Sequence, residues 1–274
     1  MLPNISLVLQ ACDQLGLQYS FKDRNKNLLF VTIGNNHVTF LNGSTSFNNE
    51  TVAKICKDKS FTFQLLNKFI SMPKTLDFLD PEVPAEFKSY VLQKNNAEVA
   101  DSILSNFSLP VILKPNQKSH GTNVFKCSNA GEVLAAINTI FNKKTIDYDY
   151  LLLAQECIQS KQEFRVITFK GKVELVYLKD ISEANFSGNL SPLHWEGAKA
   201  KHIKDEILIQ KIQEFINPIF RQIDLVYSGL DIIIDNQDKM WLVELNSQPV
   251  YRKFIEENDK QIVVDMFKRI LINL

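Results

Sequence analysis

An α+β architecture built from two or three small lobes is the expectation from three features of the chain. Apolar runs pair around turn residues in two places, at Lys170-Gly171 and at Asp235 to Lys239, which is hairpin chemistry. Elsewhere apolar residues recur at helical spacing behind capping residues. The 274 residues are 45 % hydrophobic, enough material for more than one core.

Taken in order, Asn4 is placed to cap a helix whose Ile5, Val8, Cys12 and Leu15 fall on one face. Asn27 to Leu41 reads as a hairpin turning at Gly34-Asn35-Asn36, and together these predict a small α/β lobe over residues 1–57. Thr51 to Ile70 reads as helical, and Asp77 to Glu86, with Pro81 and Pro84, as a loop. Phe107 to Phe125 predicts an apolar strand ending in Lys114-Pro115, a polar loop around Gly121 and a short apolar return. Asn129 with Glu132 three residues on is a capping signature ahead of Val133, Ile137 and Ile140. Residues 58–274 then form the second, larger unit, divided into a subdomain over about 88–158 and another over 159–274.

Composition narrows the function classes. The 31 basic and 31 acidic residues cancel, so no global field points to nucleic acid or a membrane surface. Cys12, Cys56, Cys127 and Cys157 are far apart with no CxxC pair, which favours a reducing compartment over disulfides or zinc. The start, MLPNISLVLQACDQ, lacks the basic opening of a signal peptide, and no apolar run reaches transmembrane length. A cytoplasmic protein is expected.

The stretch GLDIIIDNQDKMWLVELNSQP, residues 229–249, carries the sharpest chemistry. Leu230 to Ile234 and Met240 to Leu245 read as two strands of a hairpin. Antiparallel pairing then brings Asp231, Glu244 and Asn246 to one end of it, with Glu244 and Asn246 on one face. Three hard oxygen ligands suit Mg²⁺, which takes one or two carboxylates and keeps the rest of its octahedron for water and phosphate. A surface hairpin with scattered acids is the alternative. Lys114 at its strand end can reach a phosphate as a point charge, while the loop around Gly121 turns N–H groups toward the same anion. An ordinary strand exit is the alternative there.

This order of parts resembles the ATP-grasp enzymes from about Asp58 to Pro249. More closely it is similar to the carboxylate–amine ligases of the branch holding ribosomal-protein glutamate ligases, cyanophycin synthetase and bifunctional glutathione synthetases. Ser119-His120-Gly121-Thr122-Asn123-Val124 resembles that branch's phosphate loop, and Asp58-Lys59 its leading helix with a nucleotide-binding lysine. The resemblance implies an ATP-grasp fold: two α/β lobes clamping ATP, here behind a reduced N-terminal lobe. It implies that Lys59, Lys114, Ser119, His120, Gly121, Thr122 and Asn123 face phosphates. Gln155, Glu156, Cys157 and Ile158 would lie at the adenine, with backbone groups of that strand end offered to the purine edge, and Glu163 at the ribose. Asp231, Glu244 and Asn246 would hold Mg²⁺, with Mn²⁺ as the substitute.

Arg165 and Lys179 lie at the same end of the hairpin LLLAQECIQSKQEFRVITFKGKVELVYLK, Arg165 opening the strand FRVITF. Phe186 to Ala200 is a long loop in which Asn189 and Gly197-Ala198 resemble a segment that closes over the reacting groups in related ligases. The resemblance thus implies Arg165, Lys179 and Asn189 as catalytic. The implied reaction joins a carboxylate, on an amino acid, peptide or similar small molecule, to an amine through an acyl phosphate. Inositol phosphate kinases share the fold and a His-Gly-Thr-Asn string, so a hydroxyl kinase is the rival, and a non-catalytic ATP-grasp scaffold the third reading. Zero net charge and the Asn189 to Ala198 loop favour the ligase. Val250 stands after Pro249 where ligases usually carry glycine, and a homo-oligomer is left open.

Overall fold

The computed structural model describes residues 1–118, 121–188 and 190–274, and its strands fall into three sheets. In the first, β1 (Gln18–Phe21), β2 (Leu28–Ile33), β3 (Asn36–Leu41) and β4 (Ser44–Thr45) follow chain order behind helix α1 (Pro3–Leu15). Asn4 does not cap α1. Pro3 occupies the first helical position with Leu2 before it, because a residue lacking an N–H fits where that donor has no intrahelical partner. The Asn4 amide instead donates to the Pro249 carbonyl at 3.2 Å.

The expected helix over 51–70 is broken in two, α2 (Glu50–Lys57) and α3 (Lys59–Leu66), at Asp58. Asp58 ends the first with extended backbone and starts the second, its Oδ1 accepting from the Phe61 N–H at 2.9 Å. The second sheet holds β5 (Thr75–Leu79), β6 (Val111–Pro115), β7 (Phe125–Cys127) and β8 (Leu151–Glu156) in the order β5-β8-β6-β7. Asp77 therefore lies in a strand, and the loop expected from it begins at Asp80. Helices α4 (Asn96–Asn106) and α5 (Ala130–Ile140) pack on this sheet through Val99, Ile103, Val133 and Ile137, all fully buried. Asn129 caps α5 as expected: the Glu132 N–H donates to Asn129 Oδ1 at 3.0 Å and Glu132 Oε2 accepts from the Ser128 N–H at 2.7 Å.

The third sheet contains β9 (Ser160–Phe169), β10 (Lys172–Asp180), β11 (Lys199–His202), β12 (Tyr227–Asp235) and β13 (Met240–Asn246), in the order β11-β10-β9-β12-β13. Lys170 and Gly171 join β9 to β10 with φ of 46° and 78°, the two left-handed residues of a turn whose twist matches its strands. One face of this sheet, with Phe164, Val166, Val176, Leu230, Ile232 and Leu242, packs under α2, α3 and α6 (Glu206–Ile216). The other face carries Ile167, Phe169, Tyr177 and Tyr227 at one end. These form a single core with α1, the first sheet, α7 (Arg252–Glu257) and α8 (Gln261–Ile272), so the N-terminal segment shares its core with the C-terminal one. The segment expected as an open loop over 186–200 contains a 3₁₀ turn at Pro192–His194 and ends in β11. No helix among the described residues is long and apolar enough to cross a membrane.

Asn129→Ala should lower the unfolding free energy by about 1 kcal/mol, the usual worth of an N-cap, with an unchanged slope in a urea titration. A loss below about 0.3 kcal/mol would mean that the cap does not hold α5.

Candidate functional site

Antiparallel register sets a row of residues straight across the third sheet. His202 pairs with Tyr177, Tyr177 with Arg165, Arg165 with Asp231 and Asp231 with Glu244. Glu244 reaches that row because β13 carries a bulge: Asp231 is opposite Glu244 while the next residue, Ile232, is opposite Leu242, leaving Val243 as the extra residue. Without it Glu244 would share the face of Leu242, which is packed in the opposite core. Asn246 pairs with Gly229, two positions along the same face. Asp231, Glu244 and Asn246 are thus brought to one end of one hairpin, as the sequence predicts.

What the sequence does not show is how fully Asp231 is held. It is 6 % exposed, and Arg165 grips it twice, Nε to Oδ1 at 2.5 Å and Nη2 to Oδ2 at 3.1 Å. Lys179 Nζ lies 3.0 Å from the same Oδ1 and also donates to Glu163. Burial by itself would raise the Asp231 pKa, but Arg165 and Lys179 pull it down to about 2. The effect is mutual: burial disfavours both cations, yet the neighbouring acids, Asp231 first and then Glu163 for Lys179 and Glu244 for Arg165, help reverse this and both are raised. Arg165 sits in the middle of β9 rather than at its start, since the strand begins at Ser160. Its side chain crosses Gly229, where a Cβ would come within 3.3 Å of Arg165 Cδ and 3.0 Å of Pro249 Cβ, so the absence of a side chain there makes the crossing feasible. Glu163 is likewise a strand residue, and its position two before Arg165 puts it beside Lys179.

The second sheet supplies the opposing wall. Lys114 is 6 % exposed, and its Nζ donates to Gln155 Oε1 at 2.8 Å. Burial pushes its pKa down to about 8, against the pull of Glu244 and with the repulsion of Lys59. Gln155 donates in turn to Thr75 Oγ1 at 2.9 Å. The expectation that backbone of Gln155 and Glu156 is offered to a ligand is corrected here. β8 is an interior strand, so Gln155 is paired with Thr75 on one side and Ile112 on the other, and the Glu156 N–H donates to the Lys74 carbonyl. Gln155 therefore faces the site with its side chain. Glu156 is exposed, with its carboxylate near the Lys74 N–H, and Cys157 and Ile158 are half-buried in the connection between the two sheets.

Lys59, the first residue of α3, closes the third side. Its Nζ donates to the carbonyls of Asn116 at 3.2 Å and Lys118 at 2.6 Å and lies 3.6 Å from Glu244 Oε1. A small cleft between the sheets is lined by Lys59, Thr75, Gln155, Val243 and Glu244, among others. Residues that sequence reasoning missed hold its walls. Asn116, fully buried, donates to Asp58 at 2.7 Å and accepts from the Ser60 N–H at 2.9 Å, tying the segment after Lys114 to the helix of Lys59. Asp149 accepts from the Gln117 N–H at 2.9 Å. The polar Asn-Gln pair after Lys114-Pro115 was the available signal. Gly121 and Asn123 are left-handed, with φ of 72° and 53°, and Thr122 lies between them. Ser119, His120 and Asn189 lie outside the described residues.

Among the described residues no cluster of three or more His, Cys, Asp or Glu could hold a metal, so the candidate set is two carboxylates and the Asn246 amide. The donor set fits a hard divalent ion: Asp231 Oδ2 has one guanidinium partner in the structure, and Glu244 and Asn246 add oxygens from the paired strand.

The chain is similar to several known proteins. A D-alanine–D-alanine ligase of Haemophilus ducreyi is 24 % identical over 163 residues, 58 % of this chain and 51 % of that protein. The chain thus spans about half the length of the curated relative it matches. A bifunctional glutathione synthetase structure from Pasteurella multocida covers 100 % of this chain and 44 % of its own length, at 15 % identity and a TM-score of 0.56. A D-alanine–D-alanine ligase structure from Bacillus anthracis covers 80 % of this chain and 68 % of its own, at 16 % identity and a TM-score of 0.57. At such identities the structures show the ATP-grasp fold. The RimK-like ATP-grasp domain family matches residues 57–272, most of the chain, and the protein belongs to that family.

Proposed function

We propose that the chain is an ATP-dependent carboxylate–amine ligase acting on an amino acid, peptide or similar small substrate. The observation that carries the reading is the meeting of Lys59 from α3 and Lys114 from the second sheet with Arg165, Lys179 and the oxygens of Asp231, Glu244 and Asn246 on the third sheet. Relatives named as D-alanine–D-alanine ligase and glutathione synthetase support a C–N bond-forming activity.

In this reading Lys59 and Lys114 bind the phosphates of ATP, and Gly121, Thr122 and Asn123 supply N–H groups to them. The Gln155 side chain, Cys157, Ile158 and Glu163 hold the nucleoside. Asp231, Glu244 and Asn246 would hold Mg²⁺, which would supply charge neutralisation and orientation to the transferring phosphoryl group. A substrate carboxylate oxygen attacks the γ-phosphorus of ATP, releasing ADP and giving an acyl phosphate, and an amine then attacks its carbonyl carbon, expelling phosphate and giving up a proton. Arg165, pinned to Asp231 and therefore oriented before substrate arrives, faces the developing oxyanion. Lys179 balances the acids beside it. The loop over 185–200 excludes water from the acyl phosphate. Four free cysteines support a cytoplasmic setting.

The wild-type protein should form a hydroxamate from ATP, hydroxylamine and a suitable carboxylate in a screen of amino acids and short peptides. Arg165→Ala should slow amide formation by on the order of 10²-fold. ATP-dependent phosphorylation of a hydroxyl, with no hydroxamate from any carboxylate, would replace the ligase by a kinase. Glu244→Gln should abolish ATP turnover with the fold intact by circular dichroism, since an amide leaves the ion's charge uncompensated; wild-type turnover would remove the site.

Lys114 gives a pH signature. Its folded pKa of about 8 lies below the usual lysine value of about 10.4. Between these values the unfolded chain binds the proton that the folded one has lost, so this group's contribution to stability rises with pH there. ATP affinity runs the other way, because above about pH 8 the cation is lost. Calorimetric titration between pH 7 and 9.5 should show wild-type affinity falling and Lys114→Met flat. At pH 7 Lys114→Met and Lys59→Met should each weaken ATP binding by about 1.5 to 3 kcal/mol. Unchanged affinity in both variants would place the nucleotide elsewhere.

A further inference from the structure

The chain that follows the candidate metal ligand Asn246 crosses the third sheet from one edge to the other. Pro249 passes over Gly229 on β12, Tyr251 locks to Tyr227 through a buried hydroxyl–hydroxyl hydrogen bond, and Phe254 packs on Tyr177 of β10 at 5.1 Å between ring centroids. The strap ends at the far edge strand, β11. There the Glu257 carboxylate accepts from the Ala200 N–H, and the Asn258 amide donates to the Ala200 carbonyl at 2.6 Å.

One acceptor and one donor, offered to the N–H and C=O of the same residue, are what the backbone of a neighbouring strand would provide. Both Ala200 groups point outward, so its partner across the ladder, Lys179, forms a non-hydrogen-bonded pair with it. An edge strand of four residues with its outer groups unpaired would fray. β11 is also the exit of the loop over 181–198, whose two arms bridge at Asn185 and Glu196. Holding Ala200 therefore fixes where that loop returns beside Lys179.

We propose that Glu257 and Asn258 are positioning residues that clamp β11 by imitating a further strand, and so seat the loop over the reacting groups and couple it to the hairpin bearing Asp231, Glu244 and Asn246. The loop's role rests on the ligase reading; the clamp itself does not. Neither residue touches substrate. Their effect passes through Ala200, and its mark is the fate of the acyl phosphate: with the loop unseated, water attacks the acyl phosphate, cleaving it to free carboxylate and phosphate in place of amide.

The test uses the full chain and three variants, Glu257→Ala, the double Glu257→Ala/Asn258→Ala, and Glu257→Gln, which keeps an accepting oxygen. Hydrogen exchange of peptides spanning 183–202 should accelerate about tenfold in the double variant, the factor for roughly one lost charge-assisted hydrogen bond, and stay near wild type in Glu257→Gln. Exchange in β9 and β12 should not change. With a carboxylate that gives hydroxamate in the wild type, ADP released per hydroxamate trapped should rise about tenfold in the double variant and be restored in Glu257→Gln, while ATP affinity is unchanged. Unaltered exchange over 183–202, acceleration spread through β9 and β12, or faster exchange with an unaltered ratio would each overturn the proposal. Absence of hydroxamate from the wild type would count against the ligase, and exchange alone would then decide the clamp.

Discussion

Asp231 is an ionised carboxylate on an interior sheet face, and nearly every feature around it answers the need to pair that charge. Unpaired, it would carry a desolvation penalty of several kcal/mol. Arg165 meets it from the adjacent strand β9 and Lys179 from β10, one strand further across the sheet, and Glu163 accepts a further hydrogen bond from Lys179. Two acids against two cations leave the cluster neutral, so it can stay buried with its side chains fixed. The arrangement holds only if β9, β10 and β12 keep their register, because a slip of one residue sends each of these groups into the apolar face.

That cluster also explains the path of the chain above it. Arg165 reaches Asp231 by lying flat across Gly229, and Pro249 descends onto the same glycine. The route then runs along the apolar end of the face, where Tyr251, Phe254 and α8 share a core with α1 and the first sheet. Residues 1–48 therefore do more than precede the site. Asn4 donates to Pro249, and Asn48 accepts from the N–H groups of Val226 and Tyr227, so the N-terminal segment holds the strand and the strap that flank the charged row.

The opposite wall is built on another principle. Its cation Lys114, and Lys59 on the adjoining helix α3, have no carboxylate in direct hydrogen-bond contact among the described residues and are held by carbonyl and amide oxygens. Neutral acceptors stabilise an ammonium less than a carboxylate does, which is why burial depresses Lys114 while Lys179 is raised. A wall of under-compensated cations facing a hairpin of oxygens suits an anion chelated to a metal ion. The Asp58, Asn116 and Ser60 network keeps the two lysine-bearing elements in one frame.

Sequence alone determined what local periodicity and turn chemistry control. The Asp235 to Lys239 and Lys170-Gly171 hairpins, the cap at Asn129 and the strand exit at Lys114 all depend on residues a few positions apart, and the first of those hairpins brings Asp231, Glu244 and Asn246 to one end. It misplaced Asn4, whose partner is 245 residues away, and read through the break at Asp58, where propensity is continuous but the cap is not. Tertiary structure decided the rest. The bulge at Val243 is invisible in an apolar run, since alternation by itself would turn Glu244 onto the face of Leu242. The grip of Arg165 and Lys179 on Asp231, the interior position of β8 that occupies the Gln155 backbone, and the reach of Glu257 to Ala200 come from strand order and register. Those are settled by long-range packing, which a one-dimensional pattern does not contain.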